Sequence, residues 1–112
     1  MYKNIFDTHA HYEDEQFDCD RDELLSSFPE NGISGVVTCG TDIITSEKSI
    51  ALAEKYPFIY AAVGFHALNL DSLTADWCGD IKKLAAQNKV VAIGEIGLDY
   101  HYERDSREKQ LE

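Results

Sequence analysis

Apolar and polar positions along the chain switch between two periods, and the alternation predicts four β-then-α units. Residues 4–7 read as a short strand. Leu24, Leu25 and Phe28 fall at helical spacing and predict a helix over 20–28, closed by Pro29 and Asn31-Gly32. Residues 33–39 form a second, largely apolar strand ending at Gly40. A helix follows over 44–56, with Ile50, Ala51 and Leu52 inward, Glu47, Lys48, Glu54 and Lys55 outward, and Pro57 as its stop. A third strand is expected over 58–63, broken by Gly64. Within 72–88, Ile81, Leu84 and Ala85 mark a helix with Gly79 near its start. Residues 90–93 predict a fourth strand running into Gly94-Glu95, and a last helix is expected from near Arg104 to Glu112.

Three of these strands are near-continuous apolar runs. Such strands are buried on both faces, which implies a parallel sheet covered by helices. The fold class is therefore α/β, as a partial TIM-type (β/α) barrel with about four parallel βα units of the usual eight. Residues 1–112 make one domain, whereas a complete barrel typically takes ~250 residues. Half a barrel leaves two unpaired, apolar edge strands. Truncation is expected on that ground, with self-association or pairing with a missing C-terminal half.

Composition changes this picture little. Hydrophobic content of 44% and charged content of 28% are those of an ordinary globular protein. No window approaches the ~20 uninterrupted apolar residues of a membrane span, and the N-terminus lacks a signal peptide's apolar region. Cys19, Cys39 and Cys78 are odd in number and widely spaced, which reads as reduced thiols in a cytoplasmic protein. A net charge of −11 excludes a broad basic surface for nucleic acid. It leaves room for an enzyme that grips a phosphodiester through bound cations. The acidic stretch Glu13, Asp14, Glu15, Asp18, Asp20, Asp22 and Glu23 is expected to be a solvated loop and helix start, since it lacks the glycine of a calcium loop.

The chemistry concentrates at strand ends. In Phe6-Asp7-Thr8-His9-Ala10-His11 two imidazoles stand two residues apart, and residues i and i+2 of an extended chain face one side. His9 and His11 can thus aim at one divalent metal; the plainer alternative is a hydrogen-bonded strand-end histidine. Glu95 directly follows the strand over 90–93, where a carboxylate is costly unless paired or metal-bound. It could bridge two ions ~3.5–4 Å apart or make a structural ion pair. Gly94 and Gly97 suit a close backbone approach. His66 ends the third strand and is assigned to substrate phosphate or to supporting a ligand, with a structural histidine as the alternative. Asp99 either orients a ligand or water from behind the site or is an ordinary loop aspartate. His101 and Arg104 receive no role. Cys39 has no base partner in the sequence and is read as core.

Five segments together resemble the TatD-type metal-dependent hydrolases, a β/α-barrel family. They are DTHAHY at 7–12, FDCD at 17–20, CGTD at 39–42, AVGFH at 62–66 and VVAIGEIGLDYHY at 90–102. The resemblance covers the whole chain and implies phosphodiester hydrolysis of nucleic acid, typically by magnesium-dependent DNases. It implies that His9 and His11 bind one ion, and that Glu95 is catalytic and bridges it to a second. Two divalent ions are then expected, Mg²⁺ first and Mn²⁺ or Zn²⁺ as alternatives. Ala67 departs from the family's proline after the third-strand histidine. The family's remaining ligands, two histidines and an aspartate on later strands, would fall beyond Glu112. The resemblance is thus to the N-terminal half, expected to be weak or inactive alone. Alternatives are an amidohydrolase-like enzyme acting on a small amide, ester or lactone, and a non-catalytic half-barrel that self-associates.

Overall fold

Four parallel strands and their connecting helices build a partial β/α barrel in the computed structural model, which describes residues 1–102 and 106–112. The order is β1 (Ile5–Ala10), α1 (Arg21–Ser26), β2 (Ile33–Cys39), α2 (Ile43–Lys55), β3 (Ile59–Val63), α3 (Trp77–Ala85), β4 (Val90–Ile93) and α4 (Arg107–Gln110). The strands pair in sequence order, β1-β2-β3-β4. Because every pair is parallel, all four C-terminal ends lie along one edge of the sheet. The expected start of the last helix, Arg104, lies outside the described residues.

The core forms where α1, α2 and α3 cover β2 and β3. Leu25, Val36, Ile59, Ala61 and Val63 are fully enclosed, with Phe28, Ile50, Tyr56 and Ile81 packed beside them. The alternation Ile59, Ala61, Val63 is the period-2 signature of a strand turning one face to helices. In α2, Ser46, Ser49, Ile50 and Ala53 are buried, following i, i+3, i+4, i+7. Ala51 is exposed, against expectation; the helical stripe that carries Ile50 inward continues to Ala53 instead. Asp42 caps α2 from Thr45 N–H at 2.8 Å, and the Thr45 hydroxyl accepts from Asp42 N–H at 3.0 Å, a reciprocal box that fixes the helix start beside the end of β2. Lys55 and Tyr56 both donate to Asp22, tying α2 to α1 and holding that carboxyl below its usual range.

Two sequence readings shift in the structure. β1 runs to Ala10 rather than stopping at Asp7, so His9 lies within the strand; a register irregularity between Asp7 and Ala10 accommodates the extra residues. β4 is not buried on both faces. Val91 and Ile93 are about half exposed, as is Phe6 of β1, because β1 and β4 are the two edges of an open sheet. The radius of gyration, 15.1 Å, exceeds the ~13 Å of a compact domain of this length, as an unclosed curved sheet requires.

Candidate metal centre

The strand C-termini are laced together more tightly than strand pairing alone requires. Gly40 N–H donates to Ala62 O, Gly94 N–H to Val63 O and His66 N–H to Thr41 O, each at 2.9 Å. Glu95 N–H reaches past the end of β3 to Gly40 O, also at 2.9 Å, which swings Glu95 toward β1. The crossing passes over Gly64, where a Cβ would lie 2.9 Å from Gly94 C and 3.0 Å from Glu95 O. Gly64 is thus the glycine this approach needs. Gly94 and Gly97, expected to fill that role, have nothing within 4 Å of a Cβ, although Gly97 holds φ +152°, which side chains rarely adopt. Gly64→Ala is expected to push the 94–95 segment outward. Mn²⁺ affinity should fall at least tenfold by calorimetric titration, with the far-ultraviolet circular dichroism of the wild type retained.

This lacing brings three ligand-type atoms to one point. His9 Nε2 and His11 Nε2 lie 3.3 Å apart, and each is 3.1 Å from Glu95 Oε2. Among the described residues this is the group of His, Cys, Asp or Glu side chains gathered closely enough to hold an ion. Corners of a triangle with such edges lie about 1.8 Å from its centre, just inside metal–nitrogen and metal–oxygen bonds of ~2.0–2.2 Å. The donor set therefore fits one divalent cation.

Hydrogen bonds to the backbone fix the tautomers of His11 and His66. His11 Nδ1 lies 2.7 Å from Cys39 O, and a carbonyl can only accept, so Nδ1 carries the proton and Nε2 presents its lone pair to the site. His66 is arranged the other way. Its Nδ1 accepts from Leu68 N–H at 3.0 Å, so in the uncharged ring the proton sits on Nε2, 3.3 Å from Glu95 Oε1. Glu95 thus turns Oε2 to His9 and His11 and Oε1 to His66.

The other expected residues fall around this point. Asp99 accepts from the backbone N–H groups of His101 and Tyr102 at 2.8 and 3.1 Å, which lowers its pKa and spends one carboxylate oxygen on a turn. It lines, with His66 and Glu95, an open cleft of about 220 Å³. Cys39 is buried, and loss of solvent pushes its thiol pKa up, which suits a core residue rather than a nucleophile. A larger cleft of about 500 Å³ beside Lys3, Asn4 and Gly32 lies at the N-terminal ends of β1 and β2, away from these groups. No helix among the described residues is long and apolar enough to cross a membrane.

Sequence reasoning missed Glu13. It was expected in a solvated loop, yet it is 5% exposed, because the chain folds back after β1 and the turn places it against β2. Arg21 pins that turn, donating to the carbonyls of Tyr12 at 2.6 Å and Asp14 at 2.7 Å. The available signal was the spacing 9, 11, 13, which continues the alternation of the two histidines.

Parallel β/α architecture with a His–His–carboxylate cluster at the C-terminal strand ends defines a class, the metal-dependent hydrolases built on β/α barrels. Within that class the chain belongs to the TatD related DNase family, which residues 6–112 match. It is 40% identical over 108 residues to the uncharacterized metal-dependent hydrolase YabD of Bacillus subtilis, covering 96% of this chain and 42% of that protein. It is 33% identical over 97 residues to the 3'-5' ssDNA/RNA exonuclease TatD of Cronobacter sakazakii, covering 87% of this chain and 37% of that one. The crystal structure of YJJV, a TatD homolog from Escherichia coli K12, superposes with a TM-score of 0.84 at 29% identity, over 96% of this chain and 42% of that chain. The chain thus spans about two-fifths of the length of these relatives.

Proposed function

We propose that this chain carries the first metal site of a hydrolase that cleaves nucleic-acid phosphodiesters, with His9, His11 and Glu95 as ligands. The observation that carries the reading is the convergence of His9 Nε2, His11 Nε2 and Glu95 Oε2 within 3.3 Å of one another. The relative named as a 3'-5' ssDNA/RNA exonuclease supports single-stranded nucleic acid as the substrate class. A divalent cation held there would supply Lewis-acid charge for a phosphoryl oxygen and would make a water more acidic. It would also place local positive charge where a polyanion must approach a chain of net charge −11.

The chain's own groups have distinct roles. His11, locked by Cys39 O, keeps its Nε2 lone pair aimed at the ion. His66 holds a proton on Nε2 and can give that hydrogen bond to Glu95 Oε1 or to a phosphate oxygen entering the cleft. Asp99 supports the loop that lines the cleft. One triad accounts for one ion. A second ion would have to share Glu95 and would need donors beyond this triad. Of the three candidate cations, Mn²⁺ and Zn²⁺ suit two imidazole nitrogens better than Mg²⁺ does, which prefers oxygen.

Incubation with bis-p-nitrophenyl phosphate and with a single-stranded oligonucleotide, with and without Mn²⁺, tests the reading against a panel of amides and lactones. Metal-dependent cleavage of the phosphodiesters alone supports it, and turnover of amides alone replaces it with amidohydrolase chemistry. A second reading is favoured by the exposed apolar edges. Phe6, Val91, Ile93, Ile96 and Leu98 are each more than half exposed, as on a surface that a further set of strands would cover. Association with a second copy or with a separate C-terminal half would cover them. Light scattering that finds a folded monomer at high concentration rules out the self-associating form.

A further inference from the structure

The buried carboxylate of Glu13 stands directly behind His11, and no role in the site has been given to it. Its Oε1 lies 3.3 Å from His11 Nδ1, the atom that carries the ring proton. Its Oε2 lies 2.6 Å from Thr38 Oγ1. Thr38 is fully buried, and its hydroxyl oxygen already accepts from Tyr12 N–H at 3.2 Å, so its own proton is free to go to Glu13. Both Glu13 oxygens therefore accept. The protons run in one direction, from Tyr12 N–H to Thr38, from Thr38 to Glu13, and from His11 to Glu13 and Cys39 O.

A carboxylate taken out of water is costly unless a charge or strong donors compensate it. Arg21 is close but gives its hydrogen bonds to the carbonyls of Tyr12, Glu13 and Asp14 and to the carboxylate of Asp18, not to the Glu13 carboxylate. The ion pair found for Glu13 among the described residues is with His11. An imidazole becomes a stronger Nδ1–H donor when its other nitrogen binds a cation, so the compensation improves when the site is loaded.

We propose that Glu13 is a positioning residue that strengthens cation binding through His11, with Thr38 holding it in register. Cys39 O selects the tautomer, and Glu13 adds the anionic acceptor that makes Nε2 a better donor to a metal. The proposal rests on the metal reading of His9, His11 and Glu95, so the test has one arm that needs no metal.

In the metal-free protein, the His11 Nδ1–H proton resonance is compared between wild type, Glu13→Gln and Thr38→Val. Mn²⁺ affinity is measured by calorimetric titration on the same three proteins. Glu13→Gln should shift the resonance upfield and weaken Mn²⁺ binding about ten- to hundredfold. Thr38→Val should move both in the same direction by less, and Thr38→Ser should restore both. A folded Glu13→Gln protein with wild-type resonance and affinity overturns the proposal. Should Glu13→Gln lose its circular dichroism, Thr38→Val carries the decision, and wild-type values there overturn it equally. A folded wild type that binds no Mn²⁺ overturns the metal reading and the metal half of this proposal; the resonance still decides whether Glu13 holds His11.

Discussion

His11→Ala is expected to abolish saturable Mn²⁺ binding, with an affinity loss larger than the ~10–100-fold that follows removal of an outer partner of a ligand. The substitution deletes Nε2, one corner of the triangle with His9 and Glu95, and also the ring that bridges the site to Cys39 O and Glu13. His9→Ala should behave similarly, although His9 is the more exposed of the two. Cys39→Ala is the informative control. It removes a buried thiol but leaves the backbone carbonyl that His11 uses, so affinity should stay within twofold while stability falls by about 1 kcal/mol. Calorimetric titration of the metal-free proteins checks all three. Equal affinity in His11→Ala and Cys39→Ala would sink the assignment.

Ile59→Ala should cost about 2–5 kcal/mol in urea unfolding, the range for deleting an enclosed aliphatic side chain. Ile59 is fully buried on β3, one of two central strands, and its neighbours Val36 and Leu25 are enclosed as completely. Domains are typically stable by only about 5–15 kcal/mol, and here two strands of four are edges. The substitution should therefore leave a large unfolded fraction at 37 °C. Ile93→Ala, half exposed on the β4 edge, should cost less than half as much. Comparable losses at the two positions would mean that β4 is covered in solution, by a second copy of the chain for instance.

How much of this was legible in the sequence depends on which physical signal each feature leaves. β4 at 90–93 and β2 at 33–39 are legible with their bounds because a largely apolar run closed by a glycine, Gly94 or Gly40, leaves little choice. His9, His11 and Glu95 were legible as residues because of their place after or near apolar strands. Their meeting was not derivable from spacing, since it depends on the Glu95 N–H bond to Gly40 O and on Gly64 leaving room for the crossing. The burial of Glu13 was hidden for a related reason. A run of acidic residues reads as solvated, and only the fold-back of the chain after β1 gives Glu13 the Thr38 and His11 donors that make burial tolerable. The exposure of β4 was foreshadowed by counting strands, not by their composition: the same Val-Val-Ala-Ile run would be interior in a closed barrel and is an edge here.

The central claim is that two imidazoles and one carboxylate of this chain hold a single cation. Electron-nuclear double resonance on the protein loaded with one equivalent of Mn²⁺ reads the ligand nitrogens directly. Coupling to two imidazole nitrogens is expected in the wild type and in Cys39→Ala, and is expected to vanish with the bound ion in His9→Ala. Bound Mn²⁺ with no imidazole coupling would contradict the claim, because the ion would then sit on surface carboxylates instead.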